Sequence, residues 1–220
     1  MAPPEPDCCR TPDPRIARRF DAMAGEWAGG EDLPEMVDVS ARVADLLRDA
    51  TLRRPTVLEL GSGTGGLSVA LLEMGAARVD GIDLSPGSVE LARSRAARAG
   101  FGEQASFTEG NAAEADAEPH DWVILDRVVC CFRDADRLVE RAASLAHERV
   151  VISGPESRGW RGLVNRPLWL GENVVDLFTG GCRGFVHDLR RFERILASSG
   201  FQPARRRHQG LWFIGSYERA

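Results

Sequence analysis

A glycine-rich turn between an apolar run and a helical pattern is the part of this sequence best suited to chemistry. Thr56–Leu60 is β-prone, and the order G-x-G-x-x-G follows it from Gly61 to Gly66. Glycines at these places let the backbone approach a ligand that any Cβ would repel, as in nucleotide sites. Glu59 lies two residues before the first glycine. The sequence therefore predicts a nucleotide-binding loop with a carboxylate beside it.

The carboxylate of Glu59 distinguishes between two adenosine cofactors that such a loop can hold. The glycine spacing also fits a dinucleotide, whose pyrophosphate gains from bare N–H groups and from the positive end of a helix. A carboxylate beside that pyrophosphate is unfavourable, whereas the amino-acid end of S-adenosylmethionine (SAM) carries an ammonium, a sulfonium and no phosphate. Glu59 therefore favours SAM. An NAD-dependent oxidoreductase remains an alternative that the spacing alone does not exclude.

Polar residues that follow the next two predicted strands fit the same ligand. Val79–Asp83 ends in Asp83, about 20 residues after the glycines, where a carboxylate can accept both ribose hydroxyls of an adenosine. The third strand leads to Asn111, whose side chain is a candidate to face the adenine. Because an acid at position 83 would also serve NAD, the combination of Glu59, Asp83 and Asn111 is what favours SAM.

The run Glu59-Leu60-Gly61-Ser62-Gly63-Thr64-Gly65 resembles the first motif of the class I SAM-dependent methyltransferases. Asp126-Arg127-Val128-Val129-Cys130-Cys131, with Phe185-Val186-His187 later, is similar to a stand-alone bacterial group of these enzymes. That group is distantly similar to ubiquinone-biosynthesis and magnesium-protoporphyrin O-methyltransferases. The resemblance implies methyl transfer from SAM to a small-molecule acceptor by in-line displacement. It implies that the cofactor is held by Glu59, Gly61, Ser62, Gly63, Gly65, Asp83, Leu84, Asn111, Ala112, Asp126 and Arg127.

Three side chains on the predicted acceptor side are candidates for catalysis. An imidazole titrates near neutrality, so His187, after a glycine-rich connection, is the first candidate for a general base. Cys130 and Cys131 follow strand four, and they are either packing residues or, with Cys8 and Cys9, a thiolate pocket for a soft metal or metalloid. Their vicinal spacing does not match a zinc motif, so no resident metal is predicted. A SAM- or thiol-metal-binding protein without catalysis, or a metalloid methyltransferase, therefore remains an alternative.

The remaining pattern predicts the elements that must position these residues. Strands and helices alternate from Thr56 to Ser153, which requires a parallel sheet with right-handed crossovers. A final helix over 188–198 and a hairpin that turns at Gln209-Gly210 follow. The predicted fold class is α/β: a Rossmann-like class I methyltransferase sandwich with a mostly parallel seven-stranded sheet, an antiparallel C-terminal hairpin and N-terminal helices. The predicted strands are 56–60, 79–83, 105–109, 122–126, 149–153, 202–208 and 211–217.

The domain organisation follows from changes in composition along the chain. Residues 1–14 are rich in proline and are expected to be disordered, whereas residues 15–50 are expected to form a helical cover of two amphipathic helices. Residues 51–220 are predicted to form the SAM-binding domain. Within it, residues 155–186 have the least regular pattern and are expected to form a substrate lid. His120, just before strand four, is expected at the surface.

Length, composition and charge limit the function classes further. With 220 residues and 43% hydrophobic content, the chain can bury a sizeable core. No run approaches the ~20 apolar residues of a membrane span, and the N-terminus has no apolar signal core, so a cytoplasmic protein is expected. The net charge of −5 argues against a nucleic-acid partner. The expected partner is a small-molecule methyl acceptor, and the sequence does not indicate the oligomeric state.

Overall fold

The computed structural model describes residues 14–28, 36–51, 53–114, 116–179 and 183–220. Its strands are β1 (Thr56–Leu60), β2 (Arg78–Asp83), β3 (Ala105–Glu109), β4 (His120–Leu125), β5 (Ala146–Pro155), β6 (Phe201–Gln209) and β7 (Trp212–Arg219). They form one seven-stranded sheet in the order β3-β2-β1-β4-β5-β7-β6. Strands β1 to β5 are parallel, and β7 is antiparallel to β5 and β6. The predicted fold class is therefore confirmed.

Helices cover both faces of the sheet. They are α1 (Pro14–Ala28), α2 (Asp38–Thr51), α3 (Gly66–Glu73), α4 (Pro86–Arg98), α5 (Ala135–Leu145), α6 (Gly159–Thr179) and α7 (Leu189–Ser198). Alternate residues of β4 enter different apolar clusters: Val123 packs with residues of α5 and α7, and Ile124 packs with residues of α2 and α3. Because both faces are buried, β4 is a nearly continuous apolar run, as expected for a central parallel strand.

The strand order creates one crevice at the carboxyl ends of the parallel strands. The chain passes from β1 to β2 on one side of the sheet and later places β4 on the other side of β1. Ligands of open α/β sheets bind at such a switch point. The segments that follow β1, β2 and β4 therefore meet at this edge, and these segments carry most of the predicted cofactor residues.

The segment 155–186, predicted to be irregular, contains the 21-residue helix α6. This prediction was wrong because Gly162, Pro167 and Gly171 are helix-breaking residue types, and because the apolar side chains of α6 do not face the core. Residues 1–13 of the predicted disordered tail lie outside the described residues, and α1 begins at Pro14. No helix in the described part of the chain is long and apolar enough to cross a membrane.

His120 is buried, contrary to the surface position expected for it. It begins β4, and its Nε2 lies 2.9 Å from Oδ2 of Asp80 on β2. Burial opposes protonation of the imidazole, but hydrogen bonds to Asp80 and to the carbonyl of Glu118 outweigh it and raise the pKa of His120. The pair joins two strands at the end of the sheet opposite the crevice, so it contributes to the fold.

Candidate cofactor and acceptor site

A cavity of about 320 Å³ lies in the crevice at the carboxyl ends of β1, β2 and β4. This volume is at the lower end of the range for small-molecule sites. The cavity has two unlike walls. One is polar and comes from the strand ends and the glycine loop; the other is apolar and comes from α1 and the start of α2. The polar wall includes Glu59, Gly61, Ser62, Gly63, Thr64, Asp83, Asp126 and Arg127, and the apolar wall includes Ile16, Phe20, Met23, Met36 and Val37.

The glycine loop adopts a conformation that other residues rarely adopt. Gly61, Gly63 and Gly65 have φ angles of 83°, 51° and 73°, in the left-handed region that favours glycine. A Cβ at Gly61 would lie 2.5 Å from Cγ2 of Val128, whereas one at Gly63 would meet nothing within 4 Å. Glycine is therefore needed at position 61 for two reasons: its φ angle, and the close packing of its backbone against the side chain of Val128, which follows β4.

Three carboxyl groups converge on the polar wall: Glu59 and Asp126 are buried, and Asp83 is half-buried. Glu59 accepts a hydrogen bond from Ser68, and its burial raises its pKa from the usual 4.5 to about 8. Asp83 accepts N–H groups of Gly63 at 2.8 Å and Ser85 at 2.9 Å, yet burial still raises its pKa. The described lining has one cationic side chain, the exposed Arg127. The wall therefore favours a cation, because a positive charge would relieve the burial of these carboxylates.

Asp126 is the third of these carboxyl groups, and two serines hold it. Ser153 Oγ donates to Oδ1 at 2.5 Å, and Ser40 Oγ donates to Oδ2. Burial raises the pKa of Asp126, and the two serine hydroxyls oppose this effect. A further polar atom of the wall, Ser62 Oγ, is buried without a hydrogen-bond partner within the described residues. Buried hydroxyls are normally satisfied, so this atom suits a ligand that bonds to it.

The apolar wall is held over the strand ends by one carboxylate of α1. Asp21 Oδ1 accepts the hydroxyl of Ser85 at 2.5 Å and the N–H of Gly87 at 3.1 Å, at the start of α4. The sequence predicted a helical cover but did not identify its cavity-lining side chains. The amphipathic pattern of α1 was the available signal, although it did not indicate which site the apolar face would cover.

Comparisons with known proteins agree with this geometry. A family model described as "Methyltransferase domain" matches residues 57–148. The ubiquinone biosynthesis O-methyltransferase of Azorhizobium caulinodans is 34% identical over 158 residues, which are 64% of this chain and 61% of that protein. The magnesium-protoporphyrin O-methyltransferase of Synechocystis is 29% identical over 174 residues, 76% of this chain and 71% of that protein. The chain thus spans about two thirds of the length of these curated relatives.

Solved structures agree in fold. The crystal structure of magnesium protoporphyrin IX methyltransferase from Synechocystis PCC 6803 with bound SAH (S-adenosylhomocysteine) superposes with a TM-score of 0.69. The two are 22% identical, and the superposition covers 93% of this chain and 98% of that chain. A second structure of that protein has SAM bound, with a TM-score of 0.69 and 19% identity. Residues 57–148 of this chain thus match a methyltransferase-domain family, and the chain has the fold of these solved methyltransferases.

The structure places nine of the eleven predicted cofactor residues on the cavity lining. Gly65 and Asn111 are not among the lining residues. Gly65 is the left-handed N-cap of α3, and a Cβ there would lie 2.9 Å from Cβ of Ala92, so its part is structural. The Oδ1 of Asn111 accepts the N–H of Ala113 at 3.1 Å. The residues on the lining are Glu59, Gly61, Ser62, Gly63, Asp83, Leu84, Ala112, Asp126 and Arg127.

Of the three catalytic candidates, Cys131 lines the cavity. Cys130 is buried, with Sγ 3.3 Å from the carbonyl oxygen of Arg127. A hydrogen bond between the two thiols, together with burial, raises the pKa of Cys130, and the same bond lowers the pKa of Cys131. His187 is not on the lining. Its Nε2 lies 2.9 Å from the carbonyl oxygen of Phe132, and burial lowers its pKa.

The structure describes only part of the thiolate metal pocket that the sequence suggests, namely Cys130 and Cys131. Cys8, Cys9 and Cys182 lie outside the described residues. Within those residues, no group of three or more histidine, cysteine or acidic side chains is placed to hold a metal ion. Among the described residues of 155–186, none is on the lining, so the lid function of that segment stays a prediction, and the described cover is α1 with the start of α2.

Replacing Gly61 with alanine should weaken SAH binding by at least about 10-fold, because an L-residue at this φ angle costs roughly 1–2 kcal/mol and the new Cβ would also contact Val128. Calorimetric titration measures the affinity. Gly100→Ala is the matched control: Gly100 has a φ of 82° at the end of α4, and a Cβ there meets nothing within 4 Å. It should lose stability and keep its affinity for SAH. Equal affinities of both variants would contradict the placement of the loop.

Proposed function

We propose that this methyltransferase transfers a methyl group from SAM to an oxygen atom of a small-molecule acceptor with an apolar body. The observation that carries the proposal is the pairing of two unlike walls in one cavity. Buried carboxylates suit the ammonium and sulfonium of SAM, which leaves the wall around Phe20, Met23 and Met36 for the acceptor. The two relatives named above, which match over 64% and 76% of this chain, are O-methyltransferases by name and support oxygen as the acceptor atom.

The protein's contribution to this reaction is mainly proximity and orientation. SAM supplies an electrophilic methyl group when it is bound. Glu59, Asp83 and the glycine loop would hold the cofactor, and the apolar wall would exclude water and align the acceptor oxygen with the methyl carbon. Alignment of two reactants in one site removes much of the entropic cost of their encounter.

A hydroxyl acceptor must also lose a proton, and we propose that Asp126 takes it through Ser40. The Ser40 hydroxyl lines the cavity and donates to Asp126, so it can accept the acceptor's proton as its own moves to the carboxylate. The raised pKa of Asp126 makes it a stronger base than an ordinary aspartate. His187, the candidate from the sequence, would have to leave its bond to the Phe132 carbonyl to reach the acceptor.

Asp126→Asn should therefore lower kcat by about 100-fold or more for a hydroxyl acceptor, because general bases contribute on the order of 10²–10⁴ in rate. His187→Asn is the matched comparison, since it also replaces a titrating side chain with an amide. The pH profile of kcat under saturating SAM separates the two. If His187→Asn abolishes turnover and removes the acidic limb of the profile while Asp126→Asn does not, the base is His187 and the proposal for Asp126 is wrong.

Calorimetric titration of the reduced protein with SAH, and with NAD in parallel, tests the cofactor. We expect micromolar binding of SAH and no binding of NAD. A screen of phenols, aliphatic alcohols and carboxylic acids with methyl-labelled SAM then tests the acceptor. Binding of NAD without SAH would overturn the proposed function.

We further propose a cytoplasmic enzyme whose partner is the acceptor rather than a nucleic acid. Cys130 and Cys131 are both free thiols, which suits a reducing compartment. The net charge of −5 does not favour a polyanionic partner.

A further inference from the structure

Helix α6 exposes its apolar face to solvent. Seven large apolar side chains of the helix are exposed, and two of them, Leu163 and Leu170, are 75% and 65% exposed. At 100° per residue, the seven lie within an arc of about 160° that contains no charged residue. They are Trp160, Leu163, Val164, Leu168, Leu170, Val174 and Val175; we call this arc the α6 face.

The opposite side of α6 faces the protein: Trp169 packs against Trp212 there, and two asparagines on either side of it make specific hydrogen bonds. Asn165 Nδ2 donates to the carbonyls of Glu156 at 2.8 Å and Leu211 at 2.9 Å. Asn173 exchanges two hydrogen bonds of 2.8 Å with the backbone of Gly184. A surface helix normally has the reverse arrangement. These specific inward bonds fix the rotation of the helix, so the outward apolar face is a property of this packing.

The two glycines of α6, Gly162 and Gly171, have different surroundings, and the difference indicates what packs on the α6 face. A Cβ at Gly162 would lie 2.2 Å from the carbonyl oxygen of Ser157, so the fold itself requires glycine there. A Cβ at Gly171 would meet nothing within 4 Å. Glycine within a helix lowers its stability relative to alanine. Gly171 lies within the α6 face, where a glycine permits close approach of another backbone, and a lipid surface has no need of it.

We propose that the α6 face is the interface of a homodimer, in which α6 of one copy packs antiparallel on α6 of a second copy. A two-fold interface is self-complementary, and an uncharged apolar stripe meets that condition. The side chains of the α6 face expose on the order of 500 Å² per copy, so two copies would bury roughly 1,000 Å² before backbone and flanking groups are counted, which is the size of a specific interface.

The flanking charges agree with the antiparallel arrangement. Arg161 and Glu172 border the same side of the α6 face, at opposite ends of it. In an antiparallel pair, a two-fold axis brings each arginine toward the glutamate of the other copy. Leu163 and Leu170 border the other side and meet in the same way, and the exposed Arg166 lies about 40° outside Leu170, near Arg166 of the second copy. The helix pair thus has complementary charges on one side, and leucine contacts with a pair of solvent-exposed arginines at the rim on the other.

Light scattering coupled to size exclusion, at about 1 to 100 µM protein, tests the proposal. The expected mass is twice the 24.0 kDa of the chain. Leu163→Glu with Leu170→Glu should raise the dimer dissociation constant at least about 100-fold, because central apolar contacts dominate interfaces. SAH affinity should not change. The matched control is Ala97→Glu, which adds a charge on the exposed face of α4 and should leave the dimer intact.

Gly171→Ala provides a second test, in which the stability of the monomer and the affinity of the dimer should change in opposite directions. The added Cβ has open space within its own chain, so alanine should raise the melting temperature of the monomer while it weakens the dimer about 10-fold or more. A purely structural glycine would change stability alone.

Several outcomes would overturn the proposal. A wild-type protein that stays monomeric at all concentrations would do so, as would a dimer that the double glutamate variant leaves unchanged. A monomer that floats with phosphatidylcholine vesicles through Leu163 and Leu170 would assign the α6 face to a membrane surface instead.

Discussion

Asp83→Asn should weaken SAH binding at least about 100-fold. The carboxylate of Asp83 already accepts the N–H groups of Gly63 and Ser85, and its remaining lone pairs face the cavity. Hydrogen bonds to a charged group contribute about 1.5–3 kcal/mol each, so the loss of two ribose contacts accounts for this factor. An amide would also direct N–H donors at the backbone N–H groups, which would disturb the glycine loop.

The matched control for this prediction is Glu109→Gln. Glu109 ends β3, pairs in register with Asp83, is exposed and does not line the cavity. Both variants exchange a carboxylate for an amide at the end of a strand, so a general effect of charge would appear in both. Calorimetry should show normal affinity for Glu109→Gln. Equal losses in the two variants would mean that net charge, and not a ribose contact, explains the effect.

SAH affinity should rise about 50-fold between pH 6 and pH 8, because the pKa of Glu59 in the free protein is about 8 and the ligand's ammonium requires the charged carboxylate. Below pH 8 the side chain is mostly protonated, so binding must first release a proton. The same shift affects stability: the folded state holds a proton that the unfolded state loses near pH 4.5, so the free protein loses stability as the pH rises from about 4.5 to 8.

Titration in buffers of different ionisation enthalpy measures the proton released on binding. About one proton should be released at pH 6.5 in the wild type and none from this site in Glu59→Gln, whose affinity should be lower and nearly independent of pH. Thermal unfolding should show a larger gain from SAH at pH 8 than at pH 6. An affinity that is flat across this range in the wild type would mean that Glu59 is already ionised in the free protein.

The sequence predicted the polar wall of the site because the wall depends on local features. A strand followed at once by glycines places Glu59, Gly61 and Gly63 wherever the sheet forms, and Asp83 ends the neighbouring strand. Parallel strands bring such ends together whatever the rest of the chain does. The position of Asn111 was less predictable, because its short side chain bonds to its own loop as asparagine often does.

The apolar wall and α6 depended on contacts between residues distant in sequence. Phe20 reaches the cavity because Asp21 binds the start of α4, 64 residues away at Ser85. The outward face of α6 depends on Asn165, which bonds to the carbonyl of Leu211, 46 residues away. His187 follows a connection whose path was not predictable, and only the folded chain places it against the carbonyl of Phe132. The periodicity of a sequence predicts which side chains share a helix face. Here, hydrogen bonds to residues distant in sequence decide which of those faces is buried.

The two walls of the cavity come from separate stretches of the chain, and this separation bears on how the acceptor range can evolve. Side chains of residues 16–23 and 36–37 form the apolar wall, whereas the polar wall begins at residue 59. Substitutions in α1 can therefore reshape the space proposed for the acceptor while every residue of the polar wall is kept. New acceptor preferences are accessible through changes in about 20 residues at the N-terminal side of an otherwise constant domain.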